Sequence, residues 1–166
     1  MIVILLFIGA IIFAVSMIFM RPSVSKDIWV LIGLILTLGS ITLIILNYHS
    51  HLGTVEENST ITYPLTSSVK GQKVLIYKQL GTKSERIYLY KTNPLNKKLE
   101  KTNPANTIVS VKNNQKTNQL KITKTYRVYP SEELQILFGV ASKDHQFVRQ
   151  HYQFSLKPGW QVKQIK

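Results

Sequence analysis

The chain has no cysteine, which excludes a disulfide framework, a thiolate metal site and a cysteine nucleophile. It is also poor in acidic residues, with 8 Asp and Glu against 21 Lys and Arg in 166 residues, so the formal net charge is +13. Charge is nearly missing from residues 1–48, where the charged side chains are Arg21, Lys26 and Asp27. An ordinary single soluble domain is therefore excluded, because a long apolar segment is joined to a strongly basic one.

Two apolar runs, residues 2–20 and 28–46, contain no charged residue. As helices they would each span roughly 28 Å, close to the hydrocarbon thickness of a bilayer. We therefore predict two transmembrane helices joined by the short loop 21–27. The alternatives are buried helices of a soluble protein and a cleaved signal peptide. Both are disfavoured, because neither run has a polar face and no basic residue precedes the first run.

The distribution of charge predicts the orientation of this hairpin. Loop 21–27 holds Arg21 and Lys26, whereas the flank 47–69 holds Glu56 and Glu57 and no basic residue. The positive-inside rule therefore places the loop in the cytoplasm and both termini outside. We expect a cell-membrane protein with two spans and an extracytoplasmic C-terminal part.

Small side chains on the second run predict close helix packing. Gly33, Thr37 and Ser40 fall on one face of a helix, where they would let another backbone approach. The expected partner is the first helix, and the alternative is a neighbouring membrane protein. Neither run contains a charged residue, so no proton relay or ion pathway is predicted.

Residues 60–166 are expected to form one β-rich domain, after a linker at 49–59. Runs rich in β-branched and aromatic residues indicate strands at 60–66, 73–80, 85–92, 107–112, 120–129, 146–156 and 160–165. The fold class predicted is an N-terminal transmembrane α-hairpin followed by a mainly-β domain, an antiparallel sandwich or barrel-like sheet of six to eight strands.

Two hairpins are expected within this domain, one pairing 73–80 with 85–92 and the other pairing 107–112 with 120–129. Residues 131–140 are expected to form a short helix, because Ser131 can cap it and acidic residues follow. Strand 120–129 alternates apolar and polar side chains, except that Lys124 interrupts the apolar side.

The basic surplus is the strongest functional signal of residues 52–166, which hold 19 of the 21 basic residues, 16 of them lysine. Lysine is a hydrated point charge, so this composition favours diffuse, salt-dependent attraction to polyanions over specific recognition. The alternative is a solvated surface that only keeps the domain soluble. The candidate polyanion contacts are Lys97, Lys98, Lys101, Lys121 and Arg127.

No catalytic, cofactor or metal site is predicted. His49 and His51 could share a metal, with Glu56 and Glu57 completing the ligand set, but two polar side chains after a span are the simpler interpretation. The adjacent pair at 144 and 145 is the one acid–histidine neighbour, and a turn explains it better than a catalytic triad. No cofactor is expected, because no phosphate-binding glycine loop occurs.

The chain resembles a family of small membrane proteins of unknown function from lactic-acid-type Gram-positive bacteria. The resemblance rests on the N-terminal hairpin and on five segments: LNYHSHLG (46–53), TYPLTSS (62–68), LIYKQLG (75–81), RIYLYKT (86–92) and LFGVASKDHQFV (137–148). It implies a cell-membrane location and no established activity, and it carries no active site over to this chain.

Three functions remain open at this point. The first is a non-enzymatic, membrane-anchored binding protein whose partners are the lipid bilayer and anionic wall polymers or lipids. The second is an accessory subunit of a transporter, docked to another membrane protein through the small-residue helix face. The third is an envelope hydrolase. Nucleic acid is not an expected partner.

Overall fold

The computed structural model describes residues 1–80, 85–95, 98–139 and 143–165. The chain divides into two compact units. The first unit comprises Met1–Glu56 and Arg127–Gln146, and the second comprises Glu57–Tyr126 and Phe147–Lys166. The predicted fold class is confirmed: two apolar helices that could cross a membrane precede a sheet-rich part with two sheets.

The first unit contains the two long helices, α1 (Ile2–Phe19) and α2 (Val24–Ser50). The second helix begins before the predicted residue 28, because the Ser23 hydroxyl accepts a hydrogen bond from the Lys26 backbone N–H at 3.3 Å and caps the helix there. It ends where His51 adopts a left-handed conformation, with φ of 56°. The connection to the first strand is therefore shorter than the expected linker 49–59.

The helices contact each other through small residues. A Cβ built on Gly33 would lie 2.5 Å from the backbone nitrogen of Phe13, and one built on Gly9 would lie 2.8 Å from the Cβ of Leu36. Thr37 donates its hydroxyl to the Gly33 carbonyl at 2.8 Å, and Ser40 is buried. The three small residues singled out on α2 thus lie on or beside the face that α1 covers.

The same unit contains the short helix α3 (Glu132–Phe138), capped by the Ser131 hydroxyl. A small core joins it to the long helices, formed by buried Ile2, Tyr129 and Phe138 with Val3, Ile44, Leu134 and Leu137. Its polar groups are paired, since Tyr129 donates its hydroxyl to the side-chain oxygen of Asn47 at 3.4 Å. The segment around α3 therefore packs at the end of the hairpin that carries Asn47.

Eight strands are described: β1 (Val55–Pro64), β2 (Val74–Gln79), β3 (Arg86–Tyr90), β4 (Glu100–Lys101), β5 (Thr107–Lys112), β6 (Gln119–Val128), β7 (Gln146–Ser155) and β8 (Gln161–Gln164). Sheet one has the order β1-β6-β7-β5, and sheet two has the order β4-β3-β2-β8. Pro64, which lacks an N–H donor, ends the edge strand β1.

The core of the second unit lies between side chains of the two sheets. Leu75, Tyr88 and Tyr90 come from sheet two and pack with residues of sheet one, namely Leu120, Tyr152 and Phe154. The Phe154 ring lies 5.4 Å from the Tyr88 ring and 5.7 Å from the Tyr90 ring, measured between centroids. Such aromatic contacts add to the stabilisation from apolar burial.

The sheets differ from the expected antiparallel arrangement, because they are mixed and neither closes into a barrel. The expected hairpin of β2 and β3 forms, with Ile76 opposite Leu89, but β8 lies parallel to β2. The expected pairing of β5 with β6 is wrong, since β7 lies between them and runs parallel to β5. Segment 113–118 bridges the end of β7, where Gln115 donates its backbone N–H to the Leu156 carbonyl at 2.8 Å.

The glycine contact in the hairpin yields a stability prediction. We expect Gly33→Leu to lower the free energy of unfolding by about 1–3 kcal/mol or more, because the new side chain would collide with the α1 backbone. Thermal denaturation of the full chain in detergent, followed by circular dichroism, measures this change. Gly39→Leu is the matched control, since no atom lies within 4 Å of a Cβ built there. Equal melting temperatures for the two variants would contradict the described packing.

Candidate functional site

The structure separates the basic residues predicted to contact polyanions. Lys98 and Lys101 are exposed beside and on β4, and Lys121 is exposed on β6. Arg127 belongs to the first unit, where its guanidinium lies 3.9 Å from the carboxylate of Glu56 and its side chain is 20% exposed. Lys97 lies outside the described residues. The predicted lysines that are described are therefore divided between two sheets, and the predicted arginine already has an acidic partner.

Strand register gathers a different group of lysines on sheet two. Lys101 on β4 is opposite Leu89, Leu89 is opposite Ile76, and Ile76 is aligned with Lys163 on β8. Residues aligned across neighbouring strands share a face of a sheet, and so do residues two apart on one strand. Lys78 therefore shares this face with Lys101 and Lys163. We name Lys78, Lys101 and Lys163 the lysine face.

The geometry of the lysine face suits an extended anion. All three side chains are exposed. Lys101 and Lys163 are three strand spacings apart, which is about 14 Å at the usual distance between strands. Sequence analysis selected Lys101 but missed the other two lysines, because the parallel pairing of β8 with β2 is a long-range contact. A strand-like pattern at 160–165 was visible, but its partner was not.

An open cavity of about 600 Å³ lies next to β4 and is lined by Tyr90, Lys98, Leu99, Glu100 and Lys101. One of its lining side chains is a hydrogen-bonded carboxylate, since Thr92 donates its hydroxyl to Glu100 at 2.7 Å. Burial raises the pKa of the Tyr90 phenol above its ordinary value, and the neighbouring Tyr152 and Glu100 raise this pKa further. Tyr90 therefore stays protonated and remains a hydrogen-bond donor at neutral pH.

The histidines considered as metal ligands or catalytic groups lie at a helix end and in a turn. The ring of His49 packs edge-on against Tyr48 with centroids 5.3 Å apart, and His51 ends α2. Asp144 accepts the backbone N–H of Tyr129 at 3.1 Å and lies 3.6 Å from His145, whose φ is 54°. No group of three metal-ligating side chains occurs in the described part of the chain. These residues thus support turns and helix ends.

A serine–histidine contact that sequence reasoning missed joins β5 to β7. The Ser110 hydroxyl lies 2.9 Å from Nε2 of His151, and both side chains are partly buried. Within the described ranges no hydrogen bond or ion pair joins His151 to a carboxylate, which a catalytic triad would use to orient the imidazole. The pair is therefore a cross-strand hydrogen bond on a sheet face.

The raised pKa of Tyr90 predicts a pH dependence of stability. The Tyr90 phenol binds its proton more tightly in the folded chain than in the unfolded chain. Its contribution to the free energy of unfolding is therefore complete below the ordinary phenol pKa of 10.0 and falls as the pH rises above that value. Above pH 10.0 this loss should amount to at most about 1.4 kcal/mol of unfolding free energy per pH unit, and we expect Tyr90→Phe to abolish it. Denaturant titrations of the full chain in detergent, between about pH 8 and 11.5, measure this dependence. Tyr63→Phe is the control, and an identical alkaline profile for both variants would contradict the assignment.

Comparison with curated proteins and with solved structures gives no match. Residues 22–164, which include α2 and all eight described strands, match a family described as a domain of unknown function, DUF4811. The match covers most of the chain and agrees with the resemblance to an uncharacterised family. The chain therefore belongs to the DUF4811 family.

Proposed function

We propose that this chain is a membrane-anchored, non-enzymatic binding protein that contacts anionic components of the cell envelope through its β-rich part. In this proposal the hairpin spans the cell membrane of a lactic-acid-type Gram-positive bacterium. Loop residues between the spans face the cytoplasm, and both termini lie outside. The partners on that side are anionic wall polymers or anionic lipids.

The observation that carries the proposal is a large excess of unpaired positive charge. Of the 13 lysines described between residues 52 and 165, 12 are exposed and Lys91 is partly buried. The ion pairs found among the described residues are Arg127 with Glu56 and His145 with Asp144, so no lysine takes part in one. Because these charges are not neutralised within the chain, their field reaches outward and attracts polyanions.

The chemistry of the cations favours polymer contact over recognition of one small ligand. Exposed ammonium groups keep their hydration and attract phosphate or carboxylate without a fixed geometry. The lysine face presents three of them on one sheet surface, which a flexible polyanion can follow. Surface ion pairs of this kind contribute little singly, so several must act together.

The membrane anchor supports the location in this proposal. Most large apolar side chains of α1 and α2 are exposed in the isolated chain, which suits lipid as their surroundings. Lys26, one of the two basic residues near the connection, donates its ammonium to the Met17 carbonyl at 3.0 Å. A cation is favourable at the C-terminal end of a helix, and Arg21 adds the second positive charge expected at a cytoplasmic loop.

An accessory transporter subunit is a weaker proposal. It required the small-residue face of α2 to contact a foreign helix, but α1 lies against Gly33 in this structure. A hydrolase is also weaker, because the Ser110–His151 contact has no orienting carboxylate among the described residues.

Polyanion binding is tested with the full chain in nanodiscs and with long-chain inorganic polyphosphate as the probe. We expect affinity to fall steeply with salt, because binding releases counterions. Replacing the lysine face by Lys78→Gln, Lys101→Gln and Lys163→Gln should weaken binding roughly 100-fold at low salt and reduce the salt slope by about two.

The matched control replaces three exposed lysines outside the lysine face, Lys112→Gln, Lys116→Gln and Lys157→Gln, so that the change in net charge is the same. Equal losses for the two triple variants would show that the attraction is not located on sheet two. Binding that does not respond to salt would refute polyanion attraction altogether.

Orientation is tested by fusing alkaline phosphatase or green fluorescent protein after residue 166 in intact bacteria. The proposed topology makes the phosphatase fusion active and leaves the green fluorescent protein dark. A quadruple variant moves the positive charge from the loop to the flank after the second helix. It combines Arg21→Ser and Lys26→Ser with His49→Lys and Glu57→Lys. We expect this variant to reverse the signals of both reporters. A fluorescent fusion of the unaltered chain would place the β-rich part in the cytoplasm.

A further inference from the structure

Lys124 is the residue that breaks the pattern of β6. Its neighbours on the same side of the strand are apolar or aromatic, with Leu120 fully buried and Ile122 and Tyr126 partly buried. A lysine at such a position costs free energy unless its ammonium reaches water or an anion. Lys124 meets this condition because it is exposed, and it is one of the residues that line a cavity of the second unit.

This cavity, which we name the tyrosine pocket, has a volume of about 230 Å³ and is lined by Ser59, Ile61, Tyr63, Tyr90, Ile122, Lys124, Gln150 and Tyr152. It would hold roughly seven or eight water molecules at their liquid volume, which is the space of one ring-sized group. Strand β1 forms its outer wall, where Ile61 is 50% exposed and Tyr63 is 36% exposed. The pocket is therefore open to solvent along the edge of sheet one.

The floor of the tyrosine pocket is firmly held. Tyr90 and Tyr152 are buried, with ring centroids 6.0 Å apart and planes inclined by 53°. Both rings belong to the core that also contains Phe154. The rings are thus fixed before any ligand arrives, so little conformational entropy is lost there on binding.

Lys124 is the one charged side chain among the described residues that line the tyrosine pocket. The carboxylate of Glu100 does not line the pocket, but it lies beside the Tyr90 hydroxyl. Ser59, Gln150 and the Tyr63 hydroxyl add neutral hydrogen-bonding groups around the aromatic and aliphatic walls, whereas the Tyr90 hydroxyl is already bonded to Tyr152 and Glu100. The pocket thus offers apolar walls, neutral hydrogen-bonding groups and one ammonium. A ring with an apolar face, polar edges and one negative charge complements all three.

We propose that the tyrosine pocket binds a single sugar ring that carries a carboxylate or phosphate. The ring faces would lie against the tyrosines, its hydroxyls would bond the amide and hydroxyl groups, and its anion would pair with Lys124. A plain aromatic acid fits less well, because it has no hydroxyl groups to offer Ser59 and Gln150. This inference rests on the proposed function, since it names the unit of an anionic envelope polymer that the chain holds locally.

The test uses the full chain in nanodiscs, with glucuronic acid and glucose 6-phosphate as probes and saturation-transfer NMR as the measurement. For such small ligands we expect dissociation constants of about a millimolar. Lys124→Gln should weaken binding of both probes about tenfold or more, because a charge-assisted contact is lost. Lys121→Gln is the matched control, since it removes the same charge from the opposite side of the same strand and should change affinity less than about twofold.

Further probes decide the ligand class. Glucose without a charge and inorganic phosphate without a ring should each bind at least tenfold more weakly than glucose 6-phosphate. Tyr63→Ala, which truncates an exposed wall, should weaken both sugar anions while the melting temperature stays unchanged. Equal effects of Lys124→Gln and Lys121→Gln, equal binding of inorganic phosphate, or tighter binding of benzoate would each overturn the proposal.

The polyphosphate titration keeps this inference separate from the proposed function. Polyphosphate binding that depends on the lysine face, together with no sugar-anion binding, would overturn the tyrosine pocket and leave the proposed function standing. Sugar-anion binding that depends on Lys124, without polyphosphate binding, would support a site for free acidic sugars and refute contact with the polymer.

Discussion

The two-residue repeat of side chains along a β-strand governs both the core and the charged surface of this protein. On β6 it sends Leu120 into the core and Lys121 to the opposite, exposed side. On sheet two it separates the core tyrosines Tyr88 and Tyr90 from the lysines that are aligned with the other face. This sorting keeps most lysines away from the aromatic core, and Lys124, which lies on the side of Leu120, stays exposed. A buried unpaired ammonium would be too costly.

The first unit depends on a different constraint, the close approach of two backbones. Gly9 and Gly33 permit this approach, because a Cβ at either position would lie less than 3 Å from atoms of the other helix. Small residues allow such close packing of apolar helices. Polar groups at the ends of the helices are satisfied locally by Ser23, Lys26 and Asn47. The hairpin thus has its own packing contacts and its own caps, which is what an anchor that spans a membrane needs.

The proposed function depends on surplus charge more than on a constellation of reactive groups. The described histidines serve turns, helix ends and a cross-strand hydrogen bond, and the described carboxylates are few. The described lysines of residues 52–165, in contrast, are exposed apart from the partly buried Lys91, and none of them forms an ion pair. Membership in an uncharacterised family leaves the ligand open, so the chemistry of the lysine face and of the tyrosine pocket supplies the working hypothesis.

The sequence by itself determined the elements. The two apolar runs, the short helix after Ser131 and the strand segments are local properties, because hydrophobic period, capping and β-branched content act within a few residues. Even the odd position of Lys124 was visible as a break in an alternating pattern. Strand partners were predicted only where a hairpin joins neighbours, as for β2 and β3.

Only the tertiary structure decided which distant residues meet. The polar segment 113–118 suggested a hairpin, but it bridges the end of β7, which lies between β5 and β6. The parallel alignment of β8 with β2 puts Lys163 on the same face of sheet two as Lys101. The packing of the two sheets brings Tyr90 into contact with Tyr152. These contacts join residues about 60 to 90 positions apart along the chain. Their free energy depends on burial and register, which no local window of sequence contains.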